Sequence, residues 1–275
     1  MKEIYSVKYK RLNSSNGRRL EISPGFRGGR LHSSRPSPPS QAESTVALNT
    51  HLNPNFAFVR NDYRVRLVEE ASPLHTKVNN LITGMYGARE LITTTATSSQ
   101  TIAPQRLTLA ASSGHRVFGT LTLGMDTGQG LMADELYKSE VDELRSRGRR
   151  LCEVTRLAFE PELSCQEVMA TIFNVAFVLA RDVHARTDLI AEVHPRHAAF
   201  YRRTMGYQVV GPVRMCPRVS APAVLLHLCL DFARNQIRKL AGSETPSERS
   251  LYRFFLPAAE QKALLSQLTD TAANG

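Results

Sequence analysis

The chain has 275 residues, 42% of them hydrophobic, which suffices for one large domain with extensions. No apolar run is long enough to cross a bilayer, and the N-terminus has charge without an apolar segment, so neither a membrane span nor a secretory signal is expected. The formal net charge is +10, but residues 1–40 hold nine Lys or Arg against Glu3 and Glu21, so most of the excess sits in one stretch.

Residues 1–48 are rich in Ser, Gly, Pro and Arg, with Arg35–Gln41 the clearest linker, and are expected to form a disordered basic tail. Such a tail can touch anionic lipid or an acidic partner, or simply solubilise the chain. Without aromatic interleaving or helical periodicity it makes no case for specific nucleic-acid binding. Order is expected from Phe56. Residues 56–68 alternate Tyr63, Val65 and Leu67 with Arg64 and Arg66, as a half-exposed strand does. Ser72-Pro73 starts an amphipathic helix carrying Val78, Leu81, Ile82 and Met85 and ending near Gly87. Residues 93–104 read as a loop. Strands from Arg106 and from Arg116 flank the hairpin signal Ser112-Ser-Gly114. A short charged helix over 134–145 ends before Gly148.

Leu151–Phe159 reads as a buried strand carrying one carboxylate, Glu153, and one guanidinium, Arg156. Burying either is expensive unless the two are paired or working. In a regular strand they point to opposite faces, so they reach one site only across a β-bulge. A bulge near Val154–Thr155 is therefore expected, with a cleft beside it. Downstream, Ser164 and Glu167 form a capping box for a helix reaching about His184 that is apolar nearly all round. Residues 188–193 are a second buried strand. Pro195 opens a helix capped by Gly206, and strands follow at 207–210 and 223–230. Residues 232–240 and 247–268 look helical, so 233–275 read as a C-terminal extension or lid on a domain spanning 49–232. The whole is a mixed α/β domain without a G-x-G-x-x-G or Walker loop. Cys152, Cys165, Cys216 and Cys229 make no C-x-x-C pair and read as reduced residues of a cytoplasmic protein.

Two segments carry a family resemblance. Pro195–Tyr207 (PRHAAFYRRTMGY) resembles the late helix of the GNAT acyltransferase superfamily, with an aromatic-Tyr pair before Gly-Tyr. Glu153-Val-Thr-Arg-Leu-Ala158 resembles the E-x-[ST]-R-[FL]-A segment of acyl-homoserine-lactone synthases and long-chain N-acyl amino acid synthases. Together they make the chain look most like the N-acyl amino acid synthase branch over roughly residues 55–230. The resemblance implies a GNAT-like α/β fold and an acyl group delivered as a phosphopantetheine thioester on acyl carrier protein, with no tightly bound cofactor. The acceptor it implies is an amino acid. The turn that holds pyrophosphate in acetyl-CoA-dependent members reads Glu160–Glu167 here, without glycine and with three carboxylates, which disfavours a coenzyme A diphosphate. The absence of Trp counts against the homoserine-lactone branch, which remains an alternative, as does a non-catalytic carrier-binding module.

Amide formation from a thioester needs a neutral amine, a stabilised oxyanion and a protonated leaving thiol. Glu153 is the candidate base, its pKa raised by burial and lowered by Arg156. It would otherwise serve only to hold Arg156. Arg156 and Thr155 are suited to bind the acceptor's carboxylate, and the resemblance makes Tyr201 the proton donor to sulfur; Tyr201 would otherwise be a packed aromatic beside Phe200. Leu157, Phe159, Phe173 and Phe177 could line an acyl slot or belong to the plain core. His194 and His197 with Glu192 lack a third ligand at suitable spacing, so no metal is expected; His197 is a candidate substrate contact. A basic tail could also bring the protein to a membrane surface.

Overall fold

The computed structural model describes residues 52–70, 72–87, 106–163, 165–244 and 249–269. The expected basic tail, the loop at 93–104 and Ser164 of the capping box lie outside the described residues.

The chain runs β1 (Ala57–Arg60), β2 (Tyr63–Val68), α1 (Pro73–Gly87), β3 (Arg106–Ser113), β4 (Arg116–Met125), α2 (Asp134–Ser146), β5 (Leu151–Phe159) and α3 (Gln166–Val178). A π-helical turn (Leu179–Val183) leads to β6 (Asp188–Val193), α4 (Pro195–Met205), β7 (Gln208–Val209), β8 (Arg214–Cys216) and β9 (Ala221–Cys229). The end of the chain holds α5 (Leu230–Leu240), a 3-10 turn (Leu251–Phe254) and α6 (Ala258–Thr269). The strands form one mixed sheet in the order β1-β2-β3-β4-β5-β6-β9-β7, with β8 paired to β9. Only β5 and β6 run parallel among these pairs, with α3 crossing between them. The expected mixed α/β architecture is present.

Four elements differ from expectation. Residues 56–68 form a hairpin rather than one strand, because Asn61 takes a left-handed turn (φ 51°) and Arg60 pairs with Tyr63. α3 has Cys165, not Ser164, at its N-cap, with no side-chain cap; Glu167 instead pairs with Arg60 at 3.0 Å. The strand expected at 207–210 shortens to two residues, and β8, flanked by Pro212 and Pro217, is new. The C-terminal helix breaks before Pro257, whose ring and missing N–H cannot continue it from residue 254.

One sheet face carries the main core. α3 lies across it with every residue from Val168 to Val178 buried, as its all-round apolar pattern requires. The C-terminal segment belongs to this core: Leu230, Ile237, Leu251, Tyr252, Leu264 and Leu268 are buried in it. Tyr252 donates to the Met205 carbonyl (2.9 Å), and Asn174 accepts from the Leu256 N–H (2.8 Å). The other face is covered in two patches. α1 packs Val78 and Leu81 onto Ala110, Val117 and Ala158, while α2 packs Tyr137, Val141 and Leu144 onto Leu151, Ile190 and Leu225. Among the described residues no helix is long and apolar enough to cross a membrane.

Candidate active site

The site begins with an irregularity in β5. Thr122 of β4 pairs with Thr155 and Thr120 pairs with Ala158, so Leu121 alone faces both Arg156 and Leu157. That is a β-bulge, and within it Arg156 takes a left-handed conformation (φ 50°). It lies just after the position expected from Glu153 and Arg156. The phase of the strand changes across it: Val154 and Phe159 face the α3 core, whereas Ala158 faces α1.

The bulge coincides with a parting of strands. β5 and β6 pair from Leu151–Asp188 to Val154–Ala191 and no further, although β5 runs on to Phe159 and β6 to Val193. Beside Thr155–Leu157, where the cleft is expected, the β5 edge carries backbone groups without a partner on β6. Arg156 is exposed at its rim, while Thr155 and Leu157 are half-buried. Phe159 is fully buried over Gly119, where an added Cβ would lie 2.8 Å from its ring.

Glu153 is 2% exposed. It shares a face with Leu151 and so points toward α2, where its carboxylate accepts a hydrogen bond from the Met132 N–H at 2.8 Å. Burial, and then the neighbouring Glu192, push its pKa up to about 7; the backbone N–H groups of Met132 and Ala133 and the Arg218 guanidinium oppose that rise. Glu153 takes this hydrogen bond from the backbone at the start of α2, and no ion pair with Arg156 is formed among the described residues. Around it lies a charged frame. Arg218 pairs with Glu192, reaches Glu135 at 2.7 Å and donates to the Met132 carbonyl at 2.7 Å. Glu192 is itself raised by burial, against the pull of Arg218. Asp134 accepts from the Leu131 N–H (2.6 Å) and from Arg145, which also grips Asp126 and Asp142. The turn that presents Met132 is thus fixed from both ends.

Tyr201 stands on the other side of the sheet. It is half-buried on α4, packs against the α3 core and meets Phe200 and Tyr207 edge-to-face at 5.3 and 5.9 Å. His197, one turn earlier, is half-buried and accepts from Arg196 Nε at 3.1 Å. His194 caps α4 by accepting from the Arg196 N–H at 3.2 Å. Among the described residues no group of three His, Cys, Asp or Glu could hold a metal ion. Phe173 and Phe177 border an apolar void of about 20 Å³, room for about one water molecule.

The structure therefore puts Thr155, Arg156 and Leu157 where β5 leaves β6, Glu153 in the paired segment before them, buried opposite Ile190 and facing α2, and Tyr201 and His197 on the α3/α4 face. Glu192 and Arg218 flank Glu153 without having been expected there. Glu192 carries the same signal as Glu153, a carboxylate in a buried run; Arg218 comes from a loop and has no local signal. The turn after β5 also differs in charge from its sequence. Glu160 pairs with Arg116 at 2.5 Å and Glu167 with Arg60, so the repulsion expected there is partly neutralised. A carboxylate titrating near neutrality can take a proton from a nucleophile and a phenol can give one to a leaving group; here Glu153 and Tyr201 lie on opposite faces of the sheet.

The family described as N-acyl amino acid synthase FeeM matches residues 77–229, just over half the chain. The solved structure of FeeM, an N-acyl amino acid synthase from uncultured soil microbes, is similar with a TM-score of 0.56 and 23% identity, covering 63% of this chain and 93% of that one. An acyl-CoA N-acyltransferase from Pseudomonas aeruginosa gives a TM-score of 0.43 at 13% identity, over 60% of this chain and 97% of its own. The ribosomal-protein-S5-alanine acetyltransferase from Vibrio fischeri gives 0.41 at 12%, over 64% and 98%. No curated protein matches. The GNAT-like acyltransferase fold expected from the two segments is the fold of this chain.

Proposed function

The chain belongs to the N-acyl amino acid synthase FeeM family and is an N-acyltransferase, and we propose that it moves a long acyl chain from the thioester of acyl carrier protein to the amino group of an amino acid. The observation that carries this reading is the bulge at Arg156 beside the β5–β6 gap, with Glu153 buried at its edge.

Glu153, titrating near neutrality, takes a proton from the acceptor's ammonium, directly or through one water. The freed amine attacks the thioester carbonyl, and backbone N–H groups at the bulge meet the oxyanion. Collapse breaks the C–S bond, and Tyr201 gives its hydroxyl proton to the departing sulfur. The attacking nitrogen gives up its second proton to solvent as the intermediate collapses, so the products are a neutral amide and the free pantetheine thiol; the proton on Glu153 returns to Tyr201 through solvent, and one proton is released overall. Arg156 and Thr155 hold the acceptor's carboxylate, Leu157 and Phe159 meet the start of the acyl chain, and His197 contacts the donor from α4. A phosphopantetheine arm has no pyrophosphate to place, which suits a turn without glycine after β5. No tightly bound cofactor is invoked. The cysteines are unpaired, which fits a cytoplasmic setting, and the basic tail is a contact for anionic lipid.

The test is incubation with long-chain acyl carrier protein and all common amino acids, read by mass spectrometry. N-acyl amino acids that vanish in Glu153→Gln support the reading. Their absence with active wild-type protein rejects it, and release of methylthioadenosine from S-adenosylmethionine would assign the homoserine-lactone chemistry instead.

A further inference from the structure

Helices α4 and α5 meet on the sheet face that carries the main core. Ala198 and Met205 of α4 and Ala233 and Ile237 of α5 are buried in that core. The Phe232 ring packs on Gly206, the residue that ends α4, and leaves no room for a Cβ there. The outer faces of the two helices are strongly basic. α4 carries Arg196, Arg202 and Arg203 and no acid; α5 carries Arg234, Arg238 and Lys239 against one acid, Asp231. All six cations are exposed. Asp231 is already held by Arg181 at 2.8 Å and lies 3.8 Å from Arg234. Arg202, Arg203, Arg238 and Lys239 make no ion pair among the described residues.

The opposite sheet face has the reverse balance. There α2 carries Asp134, Glu135, Glu140, Asp142 and Glu143 against Lys138 and Arg145. The domain is thus electrically two-sided, and its field turns the α4/α5 side toward an extended negative surface.

Apolar side chains stand among the cations. Phe232 is 40% exposed. Val209 is 47% exposed and, being paired with Leu226 of the main core, projects from the same sheet face. Arg202 and Arg203, with Ala199, Gly206 and Tyr207, also line an open depression of about 370 Å³. Exposed apolar groups ringed by arginines suit a lipid–water boundary, where cations meet headgroup phosphates and apolar side chains enter the acyl region.

We propose that the outer faces of α4 and α5 dock on an anionic membrane, with Arg202, Arg203, Arg234, Arg238 and Lys239 on lipid phosphates and Phe232 and Val209 dipping below them. An acidic protein would match the charge as well; the exposed phenyl ring and valine favour a bilayer. The surface stands on charge and exposure, and its purpose rests on the proposed function. An N-acyl amino acid is an amphiphile, and α4 also carries Tyr201 and His197, so product released beside α4 leaves next to lipid.

The chain contains no Trp, so Phe232→Trp in the full chain gives a single fluorescent reporter. On vesicles containing phosphatidylglycerol its emission should shift to the blue and be quenched by brominated lipid. On phosphatidylcholine alone, or at about 0.5 M salt, it should do neither. Val59→Trp, on an exposed position of the strand at the far end of the sheet, should stay unshifted throughout. Adding Arg202→Gln, Arg203→Gln and Arg238→Gln to the reporter should weaken vesicle binding about 100-fold and leave acylation in detergent solution unchanged. Binding without a blue shift, or binding that survives the triple substitution, assigns the contact to the basic tail and overturns the proposal. So does a failure to bind anionic vesicles. A reporter shifted by acyl carrier protein and not by vesicles assigns the face to the carrier and overturns it too. Vesicle binding as described, with no acylation of any amino acid, sinks the proposed function and leaves the membrane surface standing.

Discussion

Glu153 accepts a 2.8 Å hydrogen bond from the backbone N–H of Met132, and this contact joins the central strand to the start of α2. The N–H group holds the carboxylate in place and favours its charged form, while burial and Glu192 favour the neutral one. The balance leaves Glu153 titrating near neutrality, where a base is most useful.

The rate should follow that balance. Glu192→Gln removes a neighbouring negative charge, so the acidic limb of the kcat/KM profile should move to lower pH. Arg218→Gln removes a positive charge and should move it to higher pH. Profiles of the two variants that coincide with wild type would separate these residues from Glu153.

Stability should follow it in the opposite sense to activity. The folded-state pKa of Glu153 is raised from 4.5 to about 7. Below the lower value the group is neutral in both states. Between the two, the unfolded chain releases its proton first, so stability falls as pH rises; above the upper value the loss is complete. Glu153→Gln should therefore be more stable than wild type at pH 8, by at most about 3 kcal/mol, and show a smaller gain at pH 5. Urea melts at the two pH values check this.

Arg145 grips Asp126 and Asp134, both little exposed, and Asp142. Arg145→Met leaves those carboxylates without their counter-charge, which should cost on the order of 2 kcal/mol. The turn presenting Met132 should loosen with it, raising the apparent pKa of the rate limb as well. A loss of stability with an unmoved limb would confine Arg145 to a structural role.

Gly119 is tight against the Phe159 ring, 2.8 Å from where a Cβ would sit. Gly119→Ala should destabilise by about 1–3 kcal/mol through overpacking beside the bulge. Phe159→Leu in the same background should recover part of that loss, which a double-mutant cycle would show.

Much of this was legible in the sequence. The helical pattern of 166–178, the strand at 188–193, and Pro195 with Gly206 as the two ends of α4 are local signals, and the structure keeps them. The bulge was legible too, because two charges three apart in a buried strand call for a change of phase. The Asn61 turn was hidden inside an alternation that continues on both sides of it. The alignment of Arg106, Gly124 and Glu153 in one row was invisible, because they meet only through strand register, which no window of sequence displays. Glu192 and Arg218 belong to that same long-range category: one carboxylate tunes another across strands, and a loop closes over both.

The most direct test of the account is the pH dependence of kcat/KM for amino-acid acylation by wild type and Glu153→Gln, with acyl carrier protein as donor. The account predicts an acidic limb near pH 7 in wild type, and in Glu153→Gln a rate about 10²- to 10⁴-fold lower with that limb gone. A Glu153→Gln enzyme that keeps both the rate and the limb would contradict it.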